Sequence, residues 1–128
     1  MTDDLIAQFK GLYLKTAREY ITILEHKTNI IGTKFSQDSF QHIFMAAHSL
    51  KSQSLAMGYT NTGTVSRALE LYFQFHIQLK KSVTNEELEF IKQLISFLKL
   101  SLESIEKKGH EKMLTEEENN ILLRIQND

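Results

Sequence analysis

The chain has 128 residues, with 15 Lys and Arg against 16 Asp and Glu for a net charge of −1. That length suits one domain with a single core. The balanced charge lacks the basic excess that a phosphate backbone demands, so nucleic acid is not an expected partner. With no Cys, disulfides, thiolate zinc sites and a cysteine nucleophile are excluded, and with no Pro and only five Gly the chain favours long helices over strands and turns.

The N-terminal Met1-Thr2-Asp3-Asp4 runs straight into an amphipathic pattern. No basic stretch followed by an apolar one precedes it, so no signal peptide is expected. The most apolar region, 90–102, is broken by Lys92, Gln93 and Lys99, so no membrane insertion is expected either. Together with the missing cysteines this points to a cytoplasmic protein.

Apolar residues at helical spacing (Leu5, Ile6, Phe9, Tyr13, Ala17, Tyr20, Ile21, Leu24) predict a first helix over residues 3 to about 27. Residues 28–35, with Asn29, Gly32 and two Ile, read as a connection whose Ile30, Ile31 and Phe35 fold back onto the core. Ser36 is the expected N-cap of a second helix that Gly58 ends in a left-handed conformation. Phe40, Ile43, Ala47, Leu50 and Ser54 share one face of that helix, and His48 falls roughly 120° from its centre, on the shoulder.

Asn61 or Thr62 is the expected cap of a third helix reaching about residue 81, with Val65, Leu69, Tyr72, Phe73, His76 and Leu79 as its main stripe. Leu71, Phe75 and Ile77 make it apolar nearly all round, which suits a central helix. Glu70 lies roughly 100° off the stripe, where a neighbouring helix can bring it beside His48. Thr84 with Glu87 forms a capping box that opens a fourth helix to about residue 108, closed by Gly109. Thr115 with Glu118 opens a short fifth helix through Ile125. The expected fold is all-α, an antiparallel up-down-up-down four-helix bundle over residues 1–108, with 109–128 as an added C-terminal helix or the start of a linker.

The chemistry centres on His48. A neutral imidazole is a nucleophile near neutral pH, and Lys51, one helical turn on, is a cation within reach of any group the ring accepts. His48-x-x-Lys51, the small Ser52, then Ser54, Leu55 and Gly58, and Leu69-Glu70 on the next helix resemble the histidine-phosphotransfer (HPt) domain family. The spacing from His48 to Glu70 is most similar to the N-terminal domain of CheA-type chemotaxis kinases. The resemblance implies that His48 accepts and donates a phosphoryl group on Nε2. It also implies that Glu70 orients the ring through Nδ1-H and that Lys51 offsets the phosphoryl charge.

By the same resemblance the partners are a histidine kinase catalytic domain and the aspartate of a response-regulator receiver domain. Gln41, Phe44, Met45, Ser52 and Leu55 would form the collar on which a receiver docks. Two positions depart from the family pattern: Ser52 stands where Gly is usual, and Arg67 stands where CheA-type domains often carry a second histidine. Arg67 either extends the positive charge of the site or faces solvent.

The chain has no Gly-rich phosphate loop of its own, so it reads as a phosphocarrier and not an enzyme. If cut from a longer chain, its parent would be a CheA-type kinase. No cofactor is expected. No metal is expected either, because a carboxylate-histidine metal bundle needs Glu-x-x-His pairs and the sequence contains none. The bundle can close its own core, so a monomer is expected.

Two plainer readings stand beside this one. Glu70 could pair with Arg67 three residues earlier, and the whole chain could be a helical interaction module that kept the bundle without the chemistry. His26, His42, His76 and His110 are expected to have no functional role, His76 because it lies on the buried stripe.

Overall fold

Local start and stop signals set the limits of five helices in the computed structural model, which describes residues 2–127. Met1 and Asp128, the outer ends of the expected segments 1–108 and 109–128, lie outside the described residues. The helices are α1 (Asp3–Ile31), α2 (Gln37–Ala56), α3 (Thr60–Leu79), α4 (Asn85–Lys108) and α5 (Glu116–Asn127). No strand occurs among the described residues.

Most of the expected caps are in place. Ser36 accepts a hydrogen bond from the Ser39 backbone N–H, and Thr84 and Glu87 form the reciprocal capping box. At the end of α2, Gly58 sits at φ +85°, with its N–H bonded to the Leu55 carbonyl and the Tyr59 N–H bonded to that of Ser54. This is the paired closure that a left-handed glycine permits.

Three expectations change. First, α1 runs one turn past residue 27, because Thr28 and Ile31 continue the buried stripe of Leu24 before Gly32 stops it. Of the residues expected to fold back, Ile31 and Phe35 pack on the core while Ile30 is 63% exposed.

Second, Leu5, Ile6 and Phe9 are exposed rather than part of the buried face. α1 has 29 residues and α2 only 20, and Tyr13 already meets Ser54 near the end of α2, so the first turns of α1 overhang their neighbour.

Third, α3 begins after Tyr59, and neither Asn61 nor Thr62 caps it. Its free N–H groups are met from elsewhere: Asn61 N and Thr62 N donate to the two carboxylate oxygens of Glu111, at 3.0 and 2.8 Å, and the Thr62 hydroxyl donates to the same group. Glu111 thus acts as a remote N-cap placed by the α4–α5 connection. Glu111→Ala is expected to cost about 0.5–2 kcal/mol, the usual range for a lost cap. The midpoint of urea unfolding checks it.

Pairs across the helices fix the topology. Tyr13 with Ser54 and Tyr20 with Gln53 join α1 to α2, and Arg18 with Glu106 and Glu25 with Lys99 join α1 to α4. His48 with Glu70 joins α2 to α3, and Thr62 with Ser101 joins α3 to α4. In the α1–α4 pairs the residue numbers rise on one helix as they fall on the other, which is the signature of antiparallel neighbours. Short connections between consecutive helices give the same up-down-up-down arrangement for α1 to α4.

The core between them is aromatic and aliphatic, with Phe40, Phe73, Phe97, Leu50, Leu69 and Leu98 fully enclosed. Phe40 meets Phe73 edge to face at 5.2 Å. Each such side chain contributes roughly 1.5–3 kcal/mol by leaving water. α5 lies on α3 and α4 through buried Ile121, Leu122 and Ile125, so residues 116–127 are a packed helix.

Candidate functional site

Between α2 and α3 the backbones come close because Gly63 has no side chain. A Cβ there would collide with the Leu55 side chain, which would have to turn aside, so glycine lets α3 lean onto α2 with Leu55 in its present place. Two turns further along the same seam, His48 of α2 meets Glu70 of α3. The sequence gives no periodic signal for the role of Gly63, since one glycine in a helix has many possible reasons.

At the seam the imidazole Nδ1 of His48 donates to Oε2 of Glu70, and Lys51 Nζ donates to Oε1 at 3.0 Å and to Oε2 at 3.3 Å. The expected trio is therefore assembled. The His48 side chain is 55% exposed, that of Lys51 22% and that of Glu70 8%. The ring faces solvent while the carboxylate behind it does not. Phe44, one turn before His48, stacks on the ring with centroids 6.2 Å apart and planes at 21°.

Burial alone would raise the Glu70 carboxyl. The hydrogen bonds from His48 and Lys51, with the Lys51 ammonium beside them, outweigh it and hold Glu70 below the usual carboxylate value of 4.5. An ionised carboxylate can only accept, so the proton of the shared hydrogen bond sits on Nδ1 of His48. That tautomer leaves the Nε2 lone pair free of any bond among the described residues, on the exposed ring. Such an arrangement can attack an electrophile and carry the positive charge that results.

Of the remaining candidates only Phe44 is in contact with the ring, and none joins the trio. Gln41, Met45, Ser52 and Leu55 are exposed on α2, and Phe44 is half-buried. Arg67 is exposed and makes no ion pair or hydrogen bond among the described residues. The plainer pairing of Glu70 with Arg67 is therefore not the one formed; Lys51 takes that place.

His76 behaves as a core residue: its Nδ1 donates to the Tyr72 carbonyl at 2.9 Å, and burial pulls its pKa below the usual value of 6.5. No helix among the described residues is long and apolar enough to cross a membrane.

Sequence reasoning missed one surface feature. α3 is not enclosed on all sides: Leu71 and Phe75 are 41% and 40% exposed, and with Arg67, Ile125 and Gln126 they line a groove between α3 and α5. An unbroken apolar pattern on a helix does not tell which side its neighbours leave open.

Among protein-family models, the one described as Hpt domain matches residues 8–117 of this chain. No curated protein matches it.

Proposed function

The chain belongs to the Hpt domain family, and on that premise we propose that His48 is its phosphoacceptor, taking a phosphoryl group from a histidine kinase and passing it to a receiver aspartate. The observation that carries this reading is the Nδ1–Glu70 hydrogen bond behind an exposed ring. It selects the tautomer in which Nε2 is the nucleophile.

In the loading step the Nε2 lone pair forms a bond to the γ-phosphorus of a nucleoside triphosphate held by the kinase. The bond from that phosphorus to its bridging oxygen breaks, and the diphosphate departs. No proton need move, because Nδ1 keeps its hydrogen throughout. The ring becomes positive, and Glu70 offsets that charge at short range. The same logic holds for the carboxylate that orients a catalytic histidine in serine proteases.

In the discharge step a receiver carboxylate oxygen attacks the phosphorus and the N–P bond breaks. The electron pair returns to Nε2. Lys51, already beside Glu70, can swing one or more of its rotatable N–H donors towards the phosphoryl oxygens. Gln41, Phe44, Met45, Ser52 and Leu55 supply the surface on which the receiver rests, with Ser52 narrowing the close approach that glycine allows at that position.

The spacing of His48, Lys51 and Glu70 supports a CheA-type chemotaxis kinase as the setting. We take the working form to be a monomeric phosphocarrier in the cytoplasm.

The test is to incubate the chain with ATP and a histidine kinase catalytic domain and to read intact mass under mildly alkaline conditions. One added phosphate that is acid-labile and is discharged by a receiver domain is the expected result. Failure of an intact, folded chain to load from several kinases and from a phosphorylated receiver would overturn the reading in favour of an interaction module.

A further inference from the structure

Lys51 is engaged by both carboxylate oxygens of Glu70 before loading, and meets incoming phosphate only by sharing or giving up that contact. Arg67 is not so engaged. It is exposed, has no ion pair or hydrogen bond among the described residues, and lies three positions before Glu70 on α3, where i and i+3 side chains are neighbours. Behind it runs the groove between α3 and α5, about 560 Å³ in volume, with Leu71 and Phe75 on one wall and Ile125 and Gln126 on the other. A planar guanidinium on the wall of an open groove that also holds Leu71 and Phe75 combines two kinds of recognition: bidentate contact with phosphate oxygens and burial of an apolar side chain.

We propose that this groove docks the phosphodonor, a protein surface that sets an apolar side chain against Leu71 and Phe75 and brings the polyphosphate of its bound nucleotide to Arg67. The inference rests on the phosphotransfer reading above and adds a second docking face to it, on α3 and α5, distinct from the collar on α2. Charge complementarity favours the donor as occupant. A nucleoside triphosphate carries several negative charges into the transfer, and an arginine reaching across from the other partner is a common way to stabilise them.

In the loading step Arg67 holds oxygens of the γ-phosphoryl group while the phosphorus passes from the bridging oxygen of the nucleotide to Nε2 of His48. The diphosphate leaves with the electron pair of the broken bond, and Arg67 gains and loses no proton.

The test compares loading and discharge in the full chain. Arg67→Ala, Arg67→Lys and Leu71→Asp are each loaded by a kinase catalytic domain with ATP. Separately, each is loaded chemically with phosphoramidate and discharged onto a receiver domain. Helical circular dichroism checks that each variant is folded, and Leu71→Ser replaces Leu71→Asp if the charge unfolds the chain.

Arg67→Ala and the Leu71 variant are expected to lower kcat/KM for kinase loading by about tenfold or more. Arg67→Lys should recover only part of the loss, since an ammonium lacks the fork. Phosphoramidate loading and discharge should stay within about twofold of wild type.

Unchanged kinase loading overturns the proposal. So does a parallel loss of loading and discharge, which would make the groove a receiver surface or a general one. A wild type that neither kinase nor phosphoramidate can load would instead sink the phosphotransfer reading, and this proposal with it.

Discussion

His48→Gln is expected to take up no phosphate above background from any donor that loads the wild type. The glutamine amide has no lone pair of useful basicity, yet its N–H can still donate to Glu70 and so keep the buried carboxylate partnered. The ring is more than half exposed and contributes only the stacking contact with Phe44 to packing. Stability should therefore shift by no more than about 0.5 kcal/mol, as for other surface substitutions. Intact mass after incubation with ATP and a kinase domain checks the first point, and the thermal midpoint checks the second. A variant that still gains one phosphate would move the acceptor to another residue.

Removing the carboxylate should slow loading without abolishing it. Glu70→Ala deletes the acceptor that fixes the Nδ1-H tautomer and also the negative charge that offsets the phosphorylated ring. The expected loss is about tenfold or more, as for the carboxylate that orients a metal-bound histidine. Glu70→Gln should fall between Ala and wild type, because its amide oxygen can still accept from Nδ1-H but carries no charge.

A purely structural role for Glu70 would lower stability while leaving the ring tautomer of the folded fraction untouched. Nitrogen-15 NMR of His48 therefore separates the two: the Nδ1-H tautomer is expected to dominate in wild type and to lose ground in Glu70→Ala. Loading of Glu70→Ala at the wild-type rate, with the same tautomer, would remove Glu70 from the mechanism.

The carboxylate also has a pH signature. Its folded-state pKa lies below the usual 4.5. Its stabilising contribution is thus complete above that ordinary value and is lost only as pH falls through the lowered one. Between about pH 6 and 8 Glu70 stays ionised, and any change in loading rate across that window arises from another group.

The trio was legible in the sequence because each part of the signal is local. His48 and Lys51 sit one turn apart, Gly58 ends the helix, and Glu70 lies on the flank of the next one, so a hairpin of two antiparallel helices brings the parts together. Helix starts with a side-chain cap, such as Ser36 and Thr84, were legible for the same reason. The exposure of Leu5, Ile6 and Phe9 was not. Period tells which face is apolar, but the length of the neighbour decides how much of that face finds a partner, and α2 is nine residues shorter than α1.

Glu111 was beyond reach for a different reason. A charged residue in a connection has no period, and nothing nearby marks it as the cap of a distant helix. Arg67 shows the limit within the site: spacing allowed it to pair with Glu70, and only the packing of α2 on α3 shows that Lys51 does so.

The Glu111 contact also bears on the order in which the chain becomes structured during synthesis. The residue that secures the start of α3 lies fifty positions after Asn61, whose N–H it accepts. α2 and α3 leave the ribosome well before it, with His48 and Glu70 already present but the first turn of α3 holding unmet N–H groups. A nascent chain halted at residue 108 is expected to have α2 docked on a frayed α3. The first turn of α3 then settles only when the α4–α5 connection arrives, while the contact between His48 and Glu70, two turns further along, is expected to form without it.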